Sequence, residues 1–139
     1  MIRLDLGCGR AKQEGFVGVD RFPLPGVDIV ADLARPLPFR SDSVDLVVAL
    51  HGLEHVANLI ATMQEVYRVC RDGARICIVA PYFEQKLNLA NPYHLQAFNE
   101  HTPRFWTNAS LGPEPREESG CHVAGVESAQ RQDPDAGKW

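Results

Sequence analysis

The sequence predicts an α/β chain built on a mostly parallel sheet, and three observations carry that prediction. Short apolar, β-branched runs alternate with turn-rich connections through the first half of the chain. The early runs stop on a glycine turn or an aspartate, at Gly7-Cys8-Gly9, Asp20 and Asp32. A helical apolar pattern then joins two nearly continuous apolar runs, as a crossover between buried parallel strands does.

Taken in order, residues 2–6 form a strand that runs straight into the glycine turn. Residues 16–20 and 28–32 repeat the pattern on either side of the turn Pro23-Leu24-Pro25-Gly26. Residues 43–50 are the central strand. From 58 to 71, Leu59, Met63, Val66, Tyr67 and Cys70 recur at helical spacing, and Asp72-Gly73 supplies a stop before a further strand over 75–80. A short helix around Arg104 and Phe105 follows Thr102-Pro103, with Thr102 as its cap. Residues 1–106 are expected to form one domain. Residues 107–139 contain few large aliphatics, which predicts an irregular or partly disordered tail whose one candidate strand is 122–126.

With 139 residues, 45% hydrophobic and 23% charged, the composition is that of one globular domain. The formal net charge of -4 offers no broad positive field for a phosphate backbone, so nucleic acid is not the expected partner. No apolar run approaches the roughly 20 residues of a membrane span, and the first residues lack a signal-peptide pattern. No membrane association and a cytoplasmic location are expected. The four cysteines have no Cys-x-x-Cys spacing and are expected to be reduced and mostly structural.

All the glycine and aspartate features fall at strand carboxyl ends, the edge where open parallel sheets bind ligands. Gly7 and Gly9 lack Cβ atoms, so their backbone can approach a ligand and donate amide hydrogens. Asp20 stands where a carboxylate accepts from ribose hydroxyls, and Asp32 stands within reach of an exocyclic adenine amine. Each aspartate by itself is an ordinary turn former; in register with the glycine turn they describe a nucleoside site.

The blocks Leu4-Asp5-Leu6-Gly7-Cys8-Gly9, Gly18-Val19-Asp20, Ala31-Asp32-Leu33, Leu37-Pro38-Phe39 with Ser43-Val44-Asp45, Leu53-Glu54-His55-Val56 and Glu65-Val66-Tyr67-Arg68-Val69 follow one another in a recognisable order. Together they resemble the class I S-adenosylmethionine (SAM) dependent methyltransferases, in the branch called methyltransferase type 11. That resemblance implies a Rossmann-like three-layer sandwich, SAM as cofactor and a small-molecule methyl acceptor. It places Asp5, Gly7 and Gly9, with Cys8 between the glycines, at the methionine part of SAM. Asp20 would serve the ribose and Asp32 with the Leu33 amide the adenine. Leu50 and His51 would line the mouth where the methyl is presented. Two departures stand out. Residues 9–16 leave almost no room for a first crossover helix. The tail also lacks the apolar content of the family's usual C-terminal hairpin, so that hairpin is expected to be incomplete or absent, and the fifth strand needs covering by the tail or by a second copy in a homodimer.

His51 and, after it, His94 are the candidates for proton transfer at the acceptor. His94, next to Tyr93, and His101 bracket Phe98 and Asn99 in a segment expected to lie over the cofactor edge. His51-Gly52-Leu53-Glu54-His55 also matches His-x-x-Glu-His, the inverted zinc-hydrolase pattern, with Glu127 as a conceivable third ligand. That pattern belongs on a helix, whereas here it follows directly on a buried strand, so no metal is assigned. The remaining alternative is a non-catalytic SAM-binding or partner-binding module.

Overall fold

A computed structural model of the chain describes residues 1–106 and 121–126. Six strands form one sheet in the order β3-β2-β1-β4-β5-β6. Here β1 is Arg3–Leu6, β2 Val17–Asp20, β3 Ile29–Val30, β4 Val44–Leu50, β5 Cys70–Pro81 and β6 Cys121–Val126. The first five run parallel to their neighbours. β6 pairs antiparallel with β5 from Ile76 to Pro81. This is the expected sheet, and the tail itself supplies the strand that covers the outer edge of β5. No second hairpin strand lies among the described residues, and the rest of the tail falls outside them.

The main helix, α1 (Leu59–Val69), connects β4 to β5. The Asn58 side chain caps it by accepting from the Ala61 amide at 3.0 Å. Its apolar stripe of Leu59, Met63, Val66 and Val69 is buried in the core. Its polar side does structural work too. Glu65 accepts the Leu37 amide at 2.6 Å, while the Arg68 guanidinium donates to the Leu37 and Phe39 carbonyls, each at 3.1 Å. Glu65 and Arg68 are themselves paired. The Leu37-Pro38-Phe39 turn is thus held by the helix that follows it.

Three sequence expectations shift at their edges. β3 has two residues rather than five, because Asp28 and Asp32 turn into local contacts: Asp28 accepts the Gly18 amide at 2.7 Å and Asp32 the Ala34 amide at 2.9 Å. β5 begins at Cys70, directly after α1, and takes up Asp72-Gly73 as an irregularity in its pairing with β4, with Gly73 at φ +75. The turn over Thr102–Phe105 is a 3₁₀ helix in which Thr102 does not cap. Asn99 Oδ1 accepts the His101 and Thr102 amides instead.

The two faces of the sheet are covered unequally. Leu4, Leu6, Val47, Ala49, Ile76 and Ile78 share the face packed into the core with α1, and all are buried. On the opposite face Leu46, Val48, Leu50, Cys77 and Val79 are half-buried. The connection from β1 to β2 lies on that face, and it contains no helix. A polar clamp replaces one. The Gln13 amide donates to Asp5 at 2.8 Å, and the Lys12 ammonium donates to both oxygens of Asp28 at 2.8 and 3.0 Å. Gly18 makes room for this loop: a Cβ there would lie 2.7 Å from Lys12 Cδ, 2.8 Å from Cys8 Sγ and 3.0 Å from the Gly26 carbonyl.

Gly18→Ala is therefore expected to destabilise the fold by about 1–3 kcal/mol through overpacking, read as a lower urea midpoint. An unchanged midpoint would mean that the crossover loop is not packed on β2.

Candidate functional site

Gly7-Cys8-Gly9, Asp20, Asp32 and His51 lie along the carboxyl edge of the parallel strands. The chain leaves β1 toward β2 on one side, while β4 lies on the other. The point where connections diverge in this way opens a crevice. At that point Gly7, with φ +70, meets the turn after β4: a Cβ on Gly7 would lie 3.1 Å from the Gly52 Cα, and one on Gly52 would lie 3.1 Å from the Leu6 carbonyl. Gly9 has φ +52, and nothing lies within 4 Å of the position its Cβ would occupy. The first glycine serves close packing; the second faces open space.

Asp20 is buried and joins the glycine turn directly, its Oδ2 accepting the Gly9 amide at 2.9 Å and its Oδ1 the Phe22 amide at 2.9 Å. Each oxygen retains a second lone pair for a ligand donor. The Ala31 amide donates to the Asp20 carbonyl at 2.9 Å, which brings Asp32 and Leu33 up beside this group. Asp32 is exposed and Leu33 half-buried. Asp5 is only 2% exposed. It lies beneath the crossover loop, and burial raises its carboxyl above the ordinary aspartate range against the opposing pull of the Gln13 amide and Lys12. Cys8 is buried between the glycines, and its thiol is raised by burial and by nearby Asp5 and Asp20. Cys70 is pushed up to about 11 by burial. These thiols, with Cys77, are free, and both shifts disfavour the reactive thiolate.

At the end of β4, Leu50 is half-buried and the His51 amide donates to the Val79 carbonyl at 2.8 Å. His51 itself is exposed and has φ +56, a left-handed conformation that costs a non-glycine residue. Leu53–His55 is a single 3₁₀ turn, so the helix that a His-x-x-Glu-His hydrolase motif requires is absent. Glu54 is 1% exposed. His51 Nδ1 lies 3.7 Å and His55 Nε2 3.9 Å from Glu54 Oε1. Glu54 Oε2 has no hydrogen-bond partner.

The segment carrying His94 is strapped to this turn. The Leu95 and Gln96 amides donate to the Glu54 carbonyl at 2.7 and 3.0 Å, and the Gln96 side chain donates to the Val56 carbonyl at 2.9 Å. His94 meets His55 edge to face with centroids 4.8 Å apart. Its Nδ1 lies 2.5 Å from Asn88 Oδ1. Asn88, a buried amide on the short helix α2 (Lys86–Ala90), escaped the sequence analysis because nothing local marks it. His101 is exposed and sits beside Glu100 at 3.5 Å rather than in this cluster. Glu127 lies outside the described residues.

The sequence model for "methyltransferase domain" matches residues 4–78, just over half of the chain. The chain belongs to this family. Among curated relatives, the ubiquinone/menaquinone biosynthesis C-methyltransferase UbiE of Sinorhizobium fredii is 28% identical over 103 residues, covering 73% of this chain and 36% of that protein. The demethylmenaquinone methyltransferase of Streptomyces avermitilis is 33% identical over 64 residues, covering 46% of this chain and 28% of that one. The methyltransferase domain here thus spans about a third of the length of such relatives. Its fold is similar to the crystal structure of a SAM dependent methyltransferase from Archaeoglobus fulgidus, with a TM-score of 0.60 and 25% identity over 74% of this chain and 57% of the other. The family blocks are those whose contacts were traced above, and no helix among the described residues is long and apolar enough to cross a membrane.

The raised carboxyl of Asp5 has a sign that can be checked. A raised group favours the folded state most when protonated, and that contribution fades as pH climbs through its folded value. In urea melts from pH 3 to 7, Asp5→Asn is expected to gain stability relative to wild type as pH rises. A flat difference, or one of opposite slope, would show that burial does not dominate at Asp5.

Proposed function

We propose that this domain binds SAM across the carboxyl ends of β1, β2 and β3 and directs methyl transfer to a small-molecule acceptor held beyond β4. The observation that carries this reading is the junction of the Gly9 amide with the Asp20 carboxylate at 2.9 Å, beside the open space over Gly9. The residues fit such a cofactor: a glycine turn that leaves room, a buried acid with spare lone pairs for ribose hydroxyls, and Asp32 with the Leu33 amide one turn further for an adenine edge. Bound SAM supplies an electrophilic methyl group on a sulfonium.

The chain's own contribution is placement. Gly7 and Gly9 keep the β1 turn low, Cys8 packs beneath it, and Asp5, at the methionine end of the site, secures the crossover through the Gln13 amide. Leu50 and His51 bound the crevice on the β4 side. Orienting an acceptor against the methyl provides most of what such a displacement needs, and a base is required only for an acceptor protonated at neutral pH. His51, exposed at the rim, is the first candidate to take that proton, and His94 the second. The named reactions of the relatives support the transfer class without specifying this acceptor.

Titration calorimetry with SAM and with its demethylated product is expected to show one site. Asp20→Ala should weaken it about 10- to 100-fold, the worth of charge-assisted hydrogen bonds. No binding at millimolar ligand would sink the proposal, whereas binding unaffected by Asp20→Ala would remove the ribose assignment alone.

A further inference from the structure

We propose that Glu54, His55 and His94 form a binding site for a divalent transition-metal ion of the zinc class. Each offers one ligand atom, and these atoms all lie within 4.8 Å of one another. Two imidazoles and a carboxylate are a donor set suited to zinc and its first-row neighbours rather than to magnesium or calcium. Zinc bonds of about 2.0–2.2 Å put tetrahedral ligands roughly 3.4 Å apart, so the three must close by about an ångström. His55 is exposed and His94 half-buried, so each ring can pivot in its own plane about its Nδ1 contact to make that adjustment.

Two further observations point to a cation. Glu54 is buried, yet Oε2 has no hydrogen-bond partner, and among the described residues the basic side chains within 4 Å of its Oε1 are the imidazoles of His51, at 3.7 Å, and His55, at 3.9 Å. A buried carboxylate oxygen left in this state is costly unless something positive completes it.

The second observation is the way both histidines are held. His55 Nδ1 lies 3.0 Å from the Tyr93 carbonyl oxygen, which can only accept, so Nδ1 carries the hydrogen and Nε2 the lone pair. His55 Nε2 is the nitrogen on the Glu54 side. His94 Nδ1 likewise meets Asn88 Oδ1, and the Asn88 amide nitrogen lies 3.5 Å from the Tyr82 carbonyl, which orients the Asn88 oxygen as an acceptor. Imidazoles fixed through Nδ1–H on a carbonyl or amide oxygen are presented as metal ligands are, with tautomer and ring plane set from behind.

This site differs from the His-x-x-Glu-His hydrolase arrangement, because the glutamate is a ligand and His51 is not. It also takes His94 out of proton transfer and leaves His51 for that role. Three protein ligands leave a coordination position for water or an oxygen ligand. On the methyl-transfer reading above, and resting on it, that position would receive an oxygen of the acceptor.

The test is titration of the EDTA-treated full chain with zinc chloride by calorimetry, and with cobalt(II) by visible absorption. One equivalent of zinc and a tetrahedral or five-coordinate cobalt spectrum are expected. His55→Ala and His94→Ala should each weaken zinc by more than about 100-fold, and Asn88→Ala by about 10–100-fold, while His101→Ala leaves it unchanged. Circular dichroism checks that each variant is folded. Glu54→Gln, which keeps the buried shape, serves where an alanine variant is not. The proposal is overturned if wild-type protein takes up no zinc, or if folded variants bind it as wild type does. SAM titrations on the same samples separate the two readings: SAM binding without zinc binding overturns the metal site alone, and zinc binding without SAM binding overturns the methyltransferase reading alone.

Discussion

The edge of the sheet that carries the candidate site depends on how closely the turn after β1 meets the turn after β4. Gly7 and Gly52 touch through their backbones, and a methyl group on either would stand about 3.1 Å from main-chain atoms of the other turn. Because β1 pairs with β2 on one side and β4 on the other, this contact lies at the floor of the crevice between diverging connections. The chain pays a local cost to make it, since His51 adopts φ +56 immediately before Gly52. Strain of this kind persists only where surrounding contacts over-determine it, and here the His51 amide is held on Val79 while Gly52 packs closely against Leu6 and Gly7. An exposed histidine is thereby fixed beside the glycine turn.

The missing first helix matters for the same edge. In a sheet of this order the connection from β1 to β2 would normally contribute a helix to one face; here that face retains half-buried Leu46, Val48, Leu50, Cys77 and Val79. The loop that replaces the helix cannot bury such a surface, and instead locks itself through Asp5, Lys12 and Asp28. Asp28 is held below the ordinary aspartate range, chiefly by its hydrogen bond from Lys12. Asp5 goes the other way, because its burial outweighs the hydrogen bond from the Gln13 amide and the charge of Lys12. One short loop therefore holds two aspartates with opposite electrostatic character. The buried one sits under the glycine turn, and the exposed one anchors the loop's far side.

How much of this was legible in the sequence follows from the distance over which each feature is set. β1, β2, β4 and α1 were readable because their signals are local: alternation or helical spacing, followed by a turn residue where the element stops. Gly7, Gly9 and Asp20 were readable because a parallel strand must turn at its carboxyl end, and only certain residues tolerate that turn. β3 shrank because Asp28 and Asp32 are taken up by the Gly18 and Ala34 amides, and Asp28 is also paired with Lys12, 16 residues back. Glu54 was visible as a motif letter but not as a buried acid, and Asn88 and the Tyr93 carbonyl were not visible at all. Their importance arises from the strap of Leu95 and Gln96 on Glu54, a contact between segments about forty residues apart. The blocks around Leu37 and Glu65 occupy an intermediate case: the family resemblance brought them together, and the structure supplies the reason, a guanidinium and a carboxylate that hold the Leu37 turn from the helix.

The same five residues, His51 to His55, show why a motif is decided by its backbone. On an α-helix, positions i and i+4 share a face, so two histidines converge on a metal and the glutamate between them reaches a water. Here the chain reverses at His51 and makes one 3₁₀ turn, which sends Glu54 inward while both histidines stay near the surface. A glutamate so deeply buried is poorly placed to exchange protons with a mobile water, yet well placed to anchor a cation from below. The partner that converges with His55 comes from a different segment of the chain, and it is positioned by main-chain hydrogen bonds rather than by helical spacing. The chemistry available at the end of β4 is therefore set by the tight glycine contact that forces the reversal, and only through it by the motif.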